Sequence, residues 1–442
     1  MTLMETPPAP VRHGHPLRAE TVRGFAPLTG AAVLLTAAVV LGGSADRWQG
    51  GWAETRTELH DALLVLLPLA ASAGCRQGGR ERRRRTEELW GTAVRGPLAR
   101  FLVSALPLAL WVAAGYLLAA AGALLATWPY ARGDRPYLAL LPADTVALAA
   151  AAVAGQVVGR LVTWRLAPPL LATAAFVALG VSLSAREGAG RFLNPAFPVA
   201  VGEVPAGWQP VAAIGWTAGL VAAAVLAHAA RRRYAALLPL TAAVVAGTVL
   251  VTAGDGPWRT NPAEGRQVCD TSTTPQICVN ARYSELLPQV TAALARVTDR
   301  LDGVRNLPVR FEDRTGEPRA DEVQLPMLTP FGWSVVRGRL TDPEQYAWEA
   351  VAALQRRGDC DALDPRVGLA DDAVENYLAP SPARKQFDAL DAQGDQDRRD
   401  DLERRRAARA RLRAMGEEER REWLSAYFAT TGSCDPAGVP AL

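Results

Sequence analysis

Residues 101–128 read FLVSALPLALWVAAGYLLAAAGALLATW, and this stretch decides the class of fold. It contains no charged side chain, and it is longer than the roughly 20 apolar residues with which a helix crosses about 30 Å of hydrocarbon. Its length and composition therefore predict a membrane-spanning helix.

Six further apolar runs surround this segment, and together they divide the chain into two unlike parts. The overall composition is 49% hydrophobic and 21% charged, but Ala, Leu and Val dominate up to about residue 254 and Arg, Asp, Glu and Pro after it. Buried helices of a large soluble protein are the alternative, which is disfavoured because the charges lie at the ends of the runs. The seven predicted spans are 27–43, 61–75, 101–128, 142–164, 167–185, 210–230 and 234–254.

Arginine placement orients these spans, because short cytoplasmic loops of membrane proteins are enriched in Lys and Arg. If the spans alternate, four Arg-bearing segments fall on one side, and the loops 44–60, 129–141 and 186–209 on the other side are poorer in Arg. The Arg-bearing segments are the lead-in 1–25, the loop 76–100, the junction at Arg165 and the junction 231–233. We therefore expect a multi-pass protein of the cell membrane with a cytoplasmic N-terminus and an extracytoplasmic region 255–442.

The cysteines agree with this orientation. Cys75 lies at the cytoplasmic end of the second span and is predicted to be a free thiol, whereas the other four lie in the region predicted to be outside. An even set in an oxidising compartment indicates two disulfides, and of the three possible pairings we favour Cys269–Cys278 with Cys360–Cys434. A four-cysteine zinc site is the alternative, which is disfavoured because no C-x₂-C spacing occurs.

The loop after the second span contains the most informative short segment, RRRRTEELWGTAVRGP at residues 82–97. A simple anchoring role at anionic lipid accounts for its arginines. The residues that follow fit a short amphipathic helix, with Thr86 as N-cap, Glu87 and Glu88 in the first turn, and Leu89 and Trp90 on an apolar face. A topology anchor and a docking helix are therefore the two interpretations of this loop.

The segment resembles the cytoplasmic loop between the second and third spans of ABC-2 type transporter permeases, the transmembrane subunits of ABC exporters. In that family a basic stretch is followed by a Thr, a Glu and a Leu, and then by a Pro just before the third span. The matching residues here are Arg85, Thr86, Glu88, Leu89 and Pro97. The sequence departs from the family in two ways: the Gly before the Thr is replaced by Arg85, and a seventh span with an outer domain is added.

The resemblance covers about residues 16–233, which include an amphipathic segment before the first span and a structured loop between the fifth and sixth spans. It implies that residues 80–97 form a coupling helix that docks on a separate ABC ATPase subunit, where ATP and Mg are bound. It also implies a homodimer, or a pseudo-dimer with a second permease, with the first, second and fifth spans at the interface.

Motifs for catalysis or phosphate binding are missing from the sequence, which has no G-x-x-x-x-G-K-[ST], H-E-x-x-H or G-x-S-x-G. We therefore expect no enzyme activity, metal or cofactor on this chain itself. Membrane lipid is an expected partner and nucleic acid is not, because acidic residues interleave with the arginines of 394–415.

Two polar side chains inside the fourth predicted span are candidate functional residues, because polar groups in hydrocarbon are costly. Gln156 and Arg160 are four residues apart and so share a helix face. They could line a polar pathway, although Arg160 is close enough to the cytoplasmic end to extend its guanidinium to the interface. The spacing of Gly155 and Gly159 in the same span indicates close packing against another helix.

The region 255–442 is predicted to be a mostly helical α+β domain. Its patterns indicate short strands at 278–283 and 307–311, an amphipathic helix over 284–301, a helix that starts after Thr341 or Asp342, a solvated helix at 394–415, and a last helix at 417–428.

The sequence thus predicts four segments: an interfacial segment 1–25, a six-span unit 26–233, a seventh span 234–254 and a disulfide-bonded outer domain 255–442. The leading functional hypothesis is the permease subunit of an ATP-driven exporter. The alternative is a non-transport membrane anchor or sensor that presents the outer domain for protein binding.

Overall fold

A computed structural model describes residues 21–442 except 23, 84–95, 185–187, 315, 330–333, 358–363 and 434. Helices dominate the region before residue 254. They are α1 (Ala26–Gly43), α2 (Ala45–Trp48), α3 (Trp52–Asp61), α4 (Leu63–Gly78), α5 (Arg80–Arg83), α6 (Pro97–Thr127), α7 (Leu141–Leu161), α8 (Ala167–Ser184), α9 (Gln209–Ala229) and α10 (Leu237–Ala253).

Six helical stretches of the described residues have the length and hydropathy of membrane spans, which agrees with the predicted membrane protein. They are Ala26–Gly43, Trp52–Gly78, Pro97–Thr127, Leu138–Leu161, Gln209–Ala229 and Arg233–Ala253. The fifth predicted span corresponds to α8, which is apolar but shorter over Ala167–Leu183. Seven crossings therefore remain a prediction.

The second span begins nine residues before the predicted start at residue 61. The sequence predicts a loop over residues 52–60 because Glu54, Arg56, Glu58 and His60 interrupt the apolar pattern. In the structure these residues form α3, which continues into α4 after a single turn residue, Ala62. Most of these side chains have buried polar partners, which offset the free-energy cost of their burial. The hydropathy of the local sequence cannot predict such partners.

Helices α4 and α7 approach so closely that only glycine fits at their contact. A Cβ atom on Gly74 would overlap the backbone oxygen of Ala152, and a Cβ on Gly155 would overlap that of Ala71. The same relation recurs one turn further along, at Gly78 and Gly159. Small residues at this spacing let helix backbones meet in a membrane, so the close packing that the Gly155–Gly159 spacing predicts is confirmed.

The described residues fall into two compact units. Unit 1 contains the described parts of 1–45, 55–125 and 136–259. Unit 2 contains 46–54, 126–135 and the described parts of 260–442, so two short segments from the helical part of the chain belong to it. The core of unit 1 includes Val33, Leu66, Val112, Tyr116 and Leu148, all of which are fully buried.

Unit 2 combines a small sheet with helices. The strands among the described residues are β1 (Glu203–Pro205) and β2 (Trp258–Thr260), followed by β3 (Gln267–Asp270), β4 (Gln276–Asn280), β5 (Arg310–Glu312), β6 (Glu322–Gln324), β7 (Val335–Val336) and β8 (Arg339–Leu340). Unit 2 contains β3 to β8. The four-stranded sheet has the order β3-β4-β5-β6, in which β3 and β4 are antiparallel and the other pairs are parallel. The helices are α11 (Leu287–Leu301), α12 (Pro343–Leu354), α13 (Pro365–Leu378), α14 (Arg384–Ala392), α15 (Gln396–Ala414) and α16 (Glu417–Phe428).

The core of unit 2 forms where α11 packs against the sheet and the later helices. Val290, Leu294 and Val297 of α11 are fully buried, as the predicted amphipathic helix requires. The N-cap of α12 is Asp342, which accepts the backbone N–H of Gln345. One expectation needs correction: α15 is not fully solvated, because it buries Leu402 and Leu412 on one face.

Candidate functional site

A network of ionisable side chains lies buried inside unit 1, and it joins three helices. His60 near the end of α3 places Nδ1 2.9 Å from Oδ1 of Asp144 in the first turn of α7. Tyr116 of α6 donates its hydroxyl to the second carboxylate oxygen of Asp144 at 3.0 Å. His60 and Asp144 are 6% and 4% exposed, and Tyr116 is fully buried. Ionisable groups within a membrane helix are functional candidates because their burial is costly.

Residues 188–208, which we call the outer loop after the side of the membrane predicted for them, fold against the same face of α3. The backbone oxygen of Phe197 lies 2.9 Å from Nε2 of His60. Arg56 donates to the backbone oxygen of Ala200 at 3.2 Å, and Thr57 reaches that of Val199 at 3.5 Å. Three side chains of one helix thus bind three carbonyl groups of one short stretch of the loop.

A cavity of about 50 Å³ lies beside this network within unit 1. His60 and Asp144 are the ionisable side chains among the described residues that line it, and most of the other lining residues are apolar or aromatic. The outer loop contributes Phe192 and Phe197 to the wall, and α9 contributes Trp216. A cavity of this size with polar groups in its wall can hold water but not a drug-sized ligand.

The two polar residues predicted in the fourth span come together near the opposite end of α7. Gln156 is 1% exposed and donates to the hydroxyl of Ser104 at 2.6 Å. Arg160 donates to the same hydroxyl at 3.3 Å, and its guanidinium lies 4.9 Å from the ring centre of Phe101. The predicted shared face is therefore present, and the Phe101 contact adds a cation–π interaction.

The predicted coupling residues Arg85, Thr86, Glu87, Glu88, Leu89 and Trp90 lie outside the described residues, whereas Pro97 begins α6. The short helix α5 leads from α4 toward this loop. Its Arg82 donates to the backbone oxygens of Gly159, Arg160 and Val162 at 2.8, 2.9 and 3.1 Å. A guanidinium in this position satisfies the last carbonyl groups of α7 and complements its dipole.

Unit 2 contains a second buried ionic cluster. Arg282 pairs with Glu54 at 2.8 Å and with Glu264 at 2.6 Å, and all three side chains are nearly inaccessible to solvent. The hydroxyl of Tyr283 donates to the same oxygen of Glu54 that Arg282 binds. Because Glu54 comes from segment 46–54, the cluster joins that segment to the C-terminal part of unit 2.

Asp313 lies next to this cluster. Burial raises the pKa of Asp313 to about 7, although hydrogen bonds from the backbone N–H groups of Asn280 and Leu328 act in the opposite direction. The negative charge of Glu264 adds to the rise, whereas Arg282 opposes it. The carboxyl group of Asp313 therefore titrates near neutral pH.

Three of the five cysteines lie among the described residues. Cys269 and Cys278 form a disulfide across the paired strands β3 and β4, which confirms this predicted pairing. Both sulfurs are thereby removed from the alternative four-cysteine zinc site. Cys75 is a free, buried thiol as predicted, whereas Cys360 and Cys434 lie outside the described residues.

Neither His60 nor Asp144 is among the candidate residues that the sequence predicts. His60 falls in a predicted loop, whereas Asp144 lies inside the predicted span 142–164. An acid within an apolar span is itself a functional signal, so Asp144 could have been found. Its partner could not, because 84 positions separate the two residues. Among the described residues, no group of three or more His, Cys, Asp or Glu side chains is arranged to hold a metal ion.

No protein-family model matches the chain, and no curated protein or solved structure matches it either.

Proposed function

We propose that this chain is the permease subunit of an ATP-driven transporter, coupled through residues 80–97 to a separate ABC ATPase chain. The resemblance of residues 82–97 to the ABC-2 loop motivates this proposal. The observation that carries it is the continuous connection, through α4 and α7, from that loop to the buried network at the other end of the same two helices.

The connection begins at Arg82, whose guanidinium binds the last carbonyl groups of α7. Between their ends, α4 and α7 are packed backbone to backbone at their glycines. A displacement of the loop therefore moves both helices together, because there is no side-chain layer between them to yield. The stretch Trp52–Gly78 contains 27 residues, so it transmits motion over about 40 Å.

At the far end, the same helices carry the two members of the ionisable pair. His60 lies at the end of α3, which continues into α4, and Asp144 lies in the first turn of α7. The outer loop is bonded to α3 at this point. A movement of α3 relative to the loop would widen the cavity, and a substrate larger than water requires such widening.

Topology forms part of the proposal. We propose seven crossings, with α8 as the fifth, a cytoplasmic N-terminus and an extracytoplasmic region 255–442. In support, the segments 46–54 and 126–135 belong to the same compact unit as the C-terminal region, and alternation of the spans puts both segments on the side opposite to loop 76–100.

The single lysine of the chain provides a test of this topology. Lys385 is exposed in α14. A membrane-impermeant amine reagent applied to intact cells should label the wild-type chain and should label Lys385→Arg much less. Equal labelling of both chains, or labelling of Lys385 only in inverted vesicles, would contradict the extracytoplasmic assignment.

Co-purification tests the coupling function. Tagged wild-type chain should recover an ABC ATPase, and the double variant Glu87→Ala with Glu88→Ala should release it, because acids in the first turn of a docking helix provide its charged contacts. The matched control is Glu418→Ala with Glu419→Ala, which removes two exposed, adjacent acids from unit 2 and should retain the ATPase. If no ATPase is ever recovered, the membrane anchor that presents residues 255–442 becomes the better interpretation.

A second variant separates docking from transmission. Arg82→Gln should retain the ATPase, because the docking acids are unchanged. It should nevertheless abolish any ATP-dependent change in labelling of a cysteine introduced into the outer loop, because the link to α7 is lost. If the ATP response persists in Arg82→Gln, the route through α4 and α7 is wrong.

A further inference from the structure

The hydrogen bonds of His60 fix the number of protons in the buried network. Nε2 faces the backbone oxygen of Phe197 at 2.9 Å, and a carbonyl group can only accept, so Nε2 must carry a hydrogen. Nδ1 faces Oδ1 of Asp144 at the same distance, so one further hydrogen must lie between them. A neutral imidazole beside an ionised carboxylate has only one hydrogen for these two contacts.

Loss of one proton therefore breaks one of the two contacts. The remaining hydrogen is better placed on Nδ1, because a hydrogen bond to a carboxylate is stronger than one to a carbonyl group. Nε2 then presents a lone pair to the carbonyl oxygen of Phe197, and the two repel each other. The contact that is lost is the one that holds the outer loop.

We propose that His60 and Asp144 form a proton-binding site that holds the outer loop against α3 when the site is occupied and releases the loop when it is empty. The ligand is a proton from water, and the adjoining cavity has room for that water. The inference goes beyond the ATP-driven function and does not depend on it.

The charged groups around His60 and Asp144 are consistent with control of the outer loop by this pair. On α3, Asp61 is a charged neighbour of His60, and Arg56, one turn away, binds the backbone of the loop. Tyr116 faces the pair from α6, and the outer loop presents backbone carbonyl groups. Helix α9 contributes only uncharged lining residues, among them Gln209 and Thr217. The other contacts between α3 and the loop, at Arg56 and Thr57, are longer than the His60 contact, so the proton controls the shortest of the three.

Cysteine accessibility as a function of pH tests the proposal on the full-length chain in detergent, without an ATPase. The reporter is Ala196→Cys, since Ala196 lies in the outer loop and is only 2% exposed. The reference is Gly190→Cys, at an exposed position of the same loop where a side chain meets no neighbour. Both are made in a Cys75→Ala background, and a sample without an introduced cysteine measures the labelling of the other cysteines.

The maleimide rate of Ala196→Cys is divided by that of Gly190→Cys, and this ratio removes the ordinary pH dependence of thiol reactivity. We expect this ratio to rise about tenfold between about pH 5.5 and about pH 8.5, which corresponds to about 1.4 kcal/mol, the scale of one hydrogen bond to a charged group. In Asp144→Asn the ratio should be low and independent of pH, because the amide N–H can donate to Nδ1 of a neutral imidazole whose Nε2 hydrogen keeps its bond to Phe197. Tyr116→Phe, which keeps the pair and removes only the phenol hydroxyl, should retain the pH dependence.

Two results would overturn the proposal. A ratio that is independent of pH in the chain with an unaltered His60–Asp144 pair would show that no titration controls the loop. An unchanged pH profile in a monodisperse, folded Asp144→Asn variant would assign the titration to another group. If the profile behaves as expected but no ATPase binds the chain, the proton site stands and the transporter function does not.

Discussion

Asp313 makes the stability of unit 2 depend on pH, and its replacement by asparagine should remove part of that dependence. In the folded chain, burial beside Glu264 raises the pKa of this carboxyl group from 3.8 to about 7. The native state therefore binds one more proton than the unfolded state between these two values. The free energy of unfolding must fall as the pH rises through this window. Above the window this group must add no further pH dependence.

The magnitude follows from the two pKa values. A difference of about three pKa units, at about 1.4 kcal/mol for each unit, gives about 4 kcal/mol of stability lost between about pH 4 and pH 8. The amide introduced by Asp313→Asn is neutral at every pH and cannot contribute this loss. Because about 1 kcal/mol corresponds to roughly 2–4 °C for a unit of this size, the two melting temperatures should differ in their pH response by about 10 °C.

The assay is thermal unfolding of the full-length chain in one detergent, at several pH values, for wild type and Asp313→Asn. Only the change with pH is compared, because the amide also alters the hydrogen bonds from Asn280 and Leu328 and so shifts the stability at all pH values. The control Asp321→Asn replaces an exposed acid and should keep the wild-type response. Parallel pH curves for wild type and Asp313→Asn would show that the carboxyl group does not titrate in this window and would contradict the prediction.

Three further changes test packing and covalent structure. Gly155→Leu should prevent the approach of α4 to α7 and abolish monodisperse protein on size-exclusion chromatography, whereas Gly122→Leu in α6, where nothing lies within 4 Å of a Cβ, should be tolerated; equal behaviour would contradict the close contact. Arg282→Gln should leave two buried carboxylates without their cation at a cost of about 3–5 kcal/mol, seen as faster limited proteolysis of unit 2; an unchanged rate would contradict this. The double change Cys269→Ala with Cys278→Ala should lower the stability of unit 2 by about 3 kcal/mol through the entropy of the opened loop, and an unchanged melting temperature would contradict it.

Several features could be predicted because they depend on residues close together in sequence. The apolar runs predicted the six membrane-length helices of the described residues, since the thickness of hydrocarbon to be crossed sets a local requirement. The amphipathic repeat predicted α11, and the spacing of Gly155 and Gly159 predicted a close helix contact. The Cys269–Cys278 disulfide was predicted from the short loop between the two residues.

The partners of the buried polar side chains could not be predicted and became apparent only in the folded chain. The local sequence predicts a loop at Glu54, Arg56 and His60. These residues form a helix instead, because distant groups satisfy their side chains after burial. Glu54 meets Arg282 at a separation of 228 residues, and His60 meets Asp144 at a separation of 84. A buried polar group is tolerated only with its partner in place, and no local pattern records which distant residue that partner is. Membrane-length helices therefore follow from local composition, whereas the pairing of the buried charges follows from the folding of distant segments onto one another.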